Sequence, residues 1–260
     1  MDAEESRKFF GNLGFVWATG TDTGKVRSQN EDAYHIEPEI GLFLVSDGMG
    51  GHQGGALASK IVTEDLPAMI ETRLHNMRSA ERRAIRNMLK KVVMEQSRQL
   101  WLEGLSESGY KEMGATLVLA LLRHNQVFTA NLGDSRLYRL RNDRLTQISK
   151  DHSVISELIE AGHIQPEQAL EHPAQGMITR YVGMEVRAHA HLKTFQLCPS
   201  DRLLLCTDGL TDMVSDSMIH TILKNSDCPR EACDRLIQSA NEAGGHDNIT
   251  AIVIDSLKKG

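Results

Sequence analysis

Phe43-Leu-Val-Ser-Asp47-Gly-Met-Gly-Gly51 runs an apolar segment into a carboxylate and then into glycine. An apolar run of this kind reads as a strand. Asp-Gly at its end projects the carboxylate from the rim of a sheet, and glycine lets the main chain turn sharply enough for its carbonyl to face the same way. Leu203-Leu-Leu-Cys-Thr-Asp208-Gly-Leu repeats the arrangement, and Leu132-Gly-Asp134-Ser-Arg and Gly244-Gly-His-Asp247-Asn-Ile-Thr set two more aspartates at the edges of apolar runs. A single Asp-Gly is usually a turn dipeptide. Four aspartates at strand ends form a concentrated negative site if the fold converges them, and their oxygen-only donors suit Mg²⁺ or Mn²⁺ over a soft metal.

Outward from this stretch, short runs with β-branched or aromatic content predict strands near 14–19, 32–37, 41–46, 115–122, 126–132, 135–140, 190–196, 202–207 and 249–255. Two helical patterns separate the third from the fourth. One covers about 55–73, with Ala58, Ile61, Val62, Leu66, Met69 and Ile70 on one face; the other covers about 79–103. A last helix is expected over 229–241. The strings Arg123-His-Asn-Gln126 and Arg141-Asn-Asp-Arg144 point to hairpins and antiparallel pairing. Strands grouped apart from helices argue for α+β layering, not a doubly wound parallel sheet. The polar, partly helical stretch 151–173 reads as a surface flap, and one domain spanning 1–260 is expected.

With 260 residues the chain can bury a sizeable core. Its formal charge of −6, without a long Lys/Arg block, argues against nucleic acid as the main partner. The basic residues between Arg78 and Arg98 alternate with apolar positions at Ile85, Leu89, Val92, Val93 and Leu100, and read as the wet face of an amphipathic helix. Cys198, Cys206, Cys228 and Cys233 show no C-x-x-C spacing, and Cys206 falls inside an apolar strand as a buried thiol. The opening Met-Asp-Ala-Glu-Glu-Ser-Arg-Lys is too polar for a signal peptide. The longest apolar run, Leu117 to Leu122, falls short of the roughly 20 residues of a membrane span, so no membrane partner and a reducing cytoplasm are expected.

Other chemistries find little support. The chain has 11 histidines but no H-E-x-x-H and no paired Cys/His spacing for zinc; His189 and His191 would share a strand face. Gly20-Thr-Asp-Thr-Gly24-Lys25-Val26 lacks both the glycine spacing and the hydroxyl of a P-loop. There is no G-x-S-x-G elbow and no cysteine in a C-x-x-x-x-x-R loop. Water held between two cations is then the natural nucleophile, and Arg27 could offer a planar fork to a phosphate.

In order, Arg27-Ser-Gln-Asn-Glu-Asp-Ala33, Asp47-Gly-Met-Gly-Gly-His52, Gly114-Ala-Thr-Leu, Asn131-Leu-Gly-Asp-Ser-Arg136, Thr207-Asp-Gly-Leu-Thr-Asp212 and Asp247-Asn-Ile-Thr250 resemble the PP2C-type (PPM) metal-dependent serine/threonine phosphatases, in their bacterial form. The match spans about 14–255. The resemblance implies a four-layer α-β-β-α sandwich, two antiparallel sheets with helix pairs outside. It implies that Asp47 bridges two Mn²⁺ or Mg²⁺ ions, that the Gly48 carbonyl serves one, and that Asp208 and Asp247 complete the other. Glu31 and Asp32 would act through bound waters, Asp134 with Asp208 would hold a third, weaker ion, and Arg27 would contact phosphate. The flap would border the substrate groove. Animal relatives carry a histidine where Met49 stands; a thioether cannot donate a proton, so His52 or a metal-bound water is the candidate acid. Ala56 and Leu57 replace a frequent Gly-Glu.

The implied activity is hydrolysis of phosphoserine and phosphothreonine in proteins, by direct attack of a metal-bridging hydroxide, in a monomer opposing a serine/threonine kinase. Two alternatives stand beside it. One is a dedicated phosphatase of a phosphorylated regulator of the anti-sigma-antagonist type. The other is a catalytically silent binding module, which would be expected to have lost at least one metal aspartate.

Overall fold

The computed structural model describes residues 7–10, 13–50, 54–77, 81–106, 113–169 and 172–258. Twelve strands are present among them: β1 (Arg7–Phe10), β2 (Leu13–Asp22), β3 (Asp32–Glu37), β4 (Leu42–Met49), β5 (Gly114–Ala115), β6 (Leu117–Arg123), β7 (Gln126–Leu132), β8 (Arg136–Arg141), β9 (Arg144–Gln147), β10 (His191–Gln196), β11 (Arg202–Cys206) and β12 (Ile249–Lys258). One sheet runs β1-β2-β12-β11-β8-β9, the other β10-β7-β6-β4-β3, and β5 pairs with the end of β4. All pairings are antiparallel.

The side-chain period of two along each strand builds the layers. In β4, Phe43 and Val45 face the other sheet while Leu42 and Leu44 face outward, and in β11 Leu203 and Leu205 alternate in the same way with Leu204 and Cys206. Phe15, Phe43, Val118, Leu137, Leu205 and Ile252 form the middle of the sandwich, drawn from both sheets. The outward residues of the second sheet are covered by α1 (Gly54–His75) and α2 (Arg82–Ser106), through Val62, Leu66, Leu89 and Val93. Those of the first are covered by α5 (Asp216–Lys224) and α6 (Pro229–Glu242), the short α4 (Asp208–Thr211) lying beside them. Strands such as β6, buried on both faces, therefore read as continuous apolar runs and not as alternating ones.

Asn142 and Asp143 both take positive φ, 48° and 61°, as a two-residue hairpin between β8 and β9 requires. Four elements were not anticipated: β1, β9, α4 and α5. The second helix lies three residues later than expected. Between β9 and β10 the chain leaves the sheets for about forty residues, longer than the expected 151–173, and carries α3 (Val154–Glu160) and a short 3-10 turn. Among the described residues no helix is long and apolar enough to cross a membrane.

Candidate active site

The two sheets bring their rims together at one edge of the sandwich. Asp32 and Asp47 are cross-strand partners at the ends of β3 and β4. Asp208 opens α4 directly after β11, and Asp247 precedes β12, so these two come from the opposite sheet. Asp47, Asp208, Asp247, Glu31, Gly48 and Arg27 line a common cleft of about 720 Å³, together with Met49, Ile178, Tyr181 and Asn248.

Asp47 and Asp32 are held from behind. The Asp47 amide donates to Thr116 Oγ1 at 2.9 Å, and Thr116 Oγ1 is 2.6 Å from Ser135 Oγ. Thr207 Oγ1 donates to Asp32 at 2.8 Å and accepts the Thr250 amide at 3.0 Å, coupling β3 to β11 and β12. Gly48 donates to the Glu31 carbonyl at 3.1 Å, and a Cβ at Gly48 would overlap the Gly55 carbonyl. Only glycine permits that approach of the β4 end to α1.

Electrostatically the acids are crowded. Desolvation, then the charges of Asp208, Asp32, Asp134 and Asp247, push Asp47 well above the usual carboxylate range. Desolvation raises Asp32 to about 7, against hydrogen bonds from Thr250 and Thr207. Asp208 rises to about 6, from desolvation and the neighbouring Asp212 and Asp247. Among the described residues, Oδ1 of Asp32, Asp134 and Asp208 has no hydrogen-bond partner. Clustered, unsatisfied carboxylate oxygens are what a hard divalent cation relieves, and the residues fit such ions. No group of three or more His, Cys, Asp or Glu side chains among the described residues stands arranged to hold a metal alone. Mg²⁺-like ions take one or two carboxylates and keep several waters, so an ion of this kind does not require a cluster of three acids.

Asp134 opens onto a smaller adjoining cleft of about 160 Å³, with Asp208, Asp151, Asp212 and Arg136. Its carboxyl is raised well above the usual range by desolvation, Asp208 and Asp151. Arg136 is committed to Asp151 at 2.8 Å. Arg27 donates to Asp247 at 2.8 Å, so the expected phosphate contact and one expected metal ligand are bonded to each other. A half-exposed ion pair of this kind holds by about 1 kcal/mol at most, little enough for Arg27 to turn toward a phosphate. His52 lies outside the described residues.

Sequence reasoning missed the residue that ties the site together. Asn248 accepts the Glu31 amide at 2.7 Å and donates to the carbonyls of Thr23 and Gln29, both at 2.9 Å. It thus joins the Arg27–Asp32 loop to the start of β12. Its only signal in the sequence is its place beside Asp247.

The family model described as protein phosphatase 2C matches residues 19–251. A serine/threonine phosphatase, stp, of Listeria innocua is 37% identical over 239 residues, covering 90% of this chain and 93% of that one. Protein phosphatase PhpP of Streptococcus pneumoniae is 34% identical, covering 90% and 94%. Among solved structures, serine/threonine phosphatase Stp1 from Staphylococcus aureus superposes with a TM-score of 0.85 at 34% identity, covering 96% of this chain and 98% of that one. The catalytic domain of the serine/threonine protein phosphatase PstP, in complex with two manganese ions, gives 0.78 at 32% identity, covering 95% and 100%.

Proposed function

This chain belongs to the protein phosphatase 2C family and is a metal-dependent serine/threonine protein phosphatase of the bacterial type, and from that premise we propose how its residues divide the work. Asp47, with the Gly48 carbonyl, Asp208 and Asp247 would hold two Mn²⁺ or Mg²⁺ ions, Glu31 and Asp32 would bind waters around them, and Asp134 with Asp208 would take a third ion. When bound, the ions lower the pKa of water and neutralise charge on the phosphoryl oxygens. Arg27, at the cleft rim, would orient the phosphate through its guanidinium fork. Among the described residues the lining includes no cysteine, which supports water over a thiolate as the nucleophile. His52 is proposed as the acid for the leaving alkoxide; an unchanged rate and pH profile in His52→Ala would remove it. We take the chain as a single catalytic domain, a cytoplasmic monomer, with a flap about 151–173 bordering the groove and phosphoproteins made by an opposing serine/threonine kinase as substrates.

The convergence on one cleft of Asp47 from one sheet with Asp208 and Asp247 from the other carries this reading. Hydrolysis of a phosphothreonine peptide should require Mn²⁺, stop with EDTA, and collapse in folded Asp208→Asn. A metal-loaded, folded wild type that hydrolyses no phosphopeptide, or an Asp208→Asn variant as active as wild type, would refute it.

A further inference from the structure

A second cleft, of about 660 Å³, contains none of the residues assigned above. Arg82, Arg83, Arg86 and Lys90 of α2 line it together with Lys150 and Arg180, and among the described residues no aspartate or glutamate does. Lys150 is paired with Glu160 at 2.7 Å; none of the other five cations makes an ion pair among the described residues. The arginines stand at the start of α2, where Glu81 directly precedes them and the first turn itself carries no acid. Cations there oppose the helix macrodipole and repel one another, an arrangement that costs stability unless an anion offsets it. The basic face of α2 is solvent-exposed, as expected, and forms one wall of this open cleft.

A separate observation points into the same cleft. His152 lines it at 3% exposure, and its Nδ1 has no hydrogen-bond partner among the described residues. Burial and the charges of Arg180, His191 and Lys150 lower its pKa to about 4, against the opposing pull of Glu157, and His191 is lowered by burial, Lys193 and Lys150. Both rings are therefore neutral near pH 7, and the positive field comes from arginine and lysine.

We propose that this cleft binds a small anion bearing two or three phosphate groups, inorganic or carried by a nucleoside. Guanidinium forks match phosphate oxygens bidentately. The volume is that of a small-molecule site, and five cations without an ion pair among the described residues complement a charge of three or four. An overall charge of −6 and the gathering of these cations around one open cleft do not suit a nucleic acid strand. Arg180 faces this cleft while Ile178 and Tyr181 of the same segment line the active site, so an occupant bears on a wall common to both.

Equilibrium binding of tripolyphosphate, ATP and orthophosphate to the full chain in excess Mg²⁺ tests this, in wild type, Arg83→Gln/Arg86→Gln and Arg27→Ala. Tripolyphosphate and ATP should bind wild type and Arg27→Ala alike, and about tenfold or more weakly in the double variant. Orthophosphate should bind at least about tenfold more weakly than either. Tighter binding of ATP than of tripolyphosphate assigns a nucleotide; equal binding assigns the polyphosphate itself. The double variant removes cations from a helix start, so it should melt at or above wild type without ligand, which separates lost binding from lost fold. No saturable binding, or binding kept in the double variant and lost in Arg27→Ala, overturns the proposal. So does a doubly phosphorylated peptide whose KM depends on Arg83 and Arg86 while tripolyphosphate fails to bind; that result makes the cleft a substrate-docking surface.

Discussion

Asn248→Ala removes three hydrogen bonds at once without touching a candidate metal ligand. The Glu31 amide loses its acceptor, and the Thr23 and Gln29 carbonyls lose their donor, at a residue only 4% exposed. At about 1 kcal/mol net per bond, more where the stranded group stays dry, the loss is about 3 kcal/mol. For a chain of this length that is a fall in Tm of about 6–12 °C. The Arg27–Asp32 loop would also lose its side-chain tether to the start of β12 and keep only the Arg27–Asp247 pair, so kcat for a phosphothreonine peptide should drop while Mn²⁺ still binds. Asn248→Asp is the sharper control. It keeps the acceptor for Glu31 but points a carboxylate oxygen at two carbonyls and adds charge beside Asp247, so it should be at least as damaging. Urea melts and thermal scans with saturating Mn²⁺, alongside kcat, decide the matter. An Asn248→Ala protein within about 1 °C of wild type and fully active would refute the reasoning.

Asp208→Asn relieves crowding among the acids, so in EDTA it should be more stable than wild type by about 1 kcal/mol, while losing activity in Mn²⁺; lower stability in EDTA would contradict the electrostatic account. Gly48→Ala would drive a Cβ into the Gly55 carbonyl and the Glu31 backbone, and should cost about 1–3 kcal/mol in a urea melt together with most activity. His152, with a folded pKa of about 4 against 6.5, binds its proton more readily when unfolded. Stability should therefore fall as pH drops from 6.5 toward 4, by at most about 3 kcal/mol, and His152→Gln should flatten that slope in pH-dependent melts. Cys206 and Cys233, buried and pushed up to about 12, should resist a thiol reagent in the native protein, with Cys198 and Cys228 reacting first.

The strands that face two apolar layers, such as β6 and β11, were legible because burial on both sides leaves an unbroken apolar run. The helices over α1 and α6 were legible from period. What escaped is what local pattern does not encode. β9 is half-exposed and short, and β1 has little beyond pairing with β2 to mark it. α4 is a single turn whose first residue is the Asp208 read as a strand end. The aspartates were readable as candidates, but their meeting was not, because Asp47 and Asp208 belong to different sheets and only the packing of those sheets joins them. Nor does spacing reveal that Arg27 and Asp247, 220 residues apart, share a hydrogen bond.

Packing two sheets face to face also explains why the site sits where it does. A carboxylate inside the sandwich would be desolvated on every side, whereas at the rim only its back is enclosed and its front opens to the cleft. Even so, Asp32, Asp47, Asp134 and Asp208 are all raised, so their enclosure opposes folding. Three apolar layers, one between the sheets and one under each helix layer, offset that cost. Any cation that binds these acids in the folded chain and not in the unfolded one adds stability by RT ln(1 + [L]/Kd). The charge that makes the cleft a catalytic centre should therefore make Mn²⁺ raise Tm, and charge-neutral substitutions at the same aspartates should shrink that rise in step with the loss of activity.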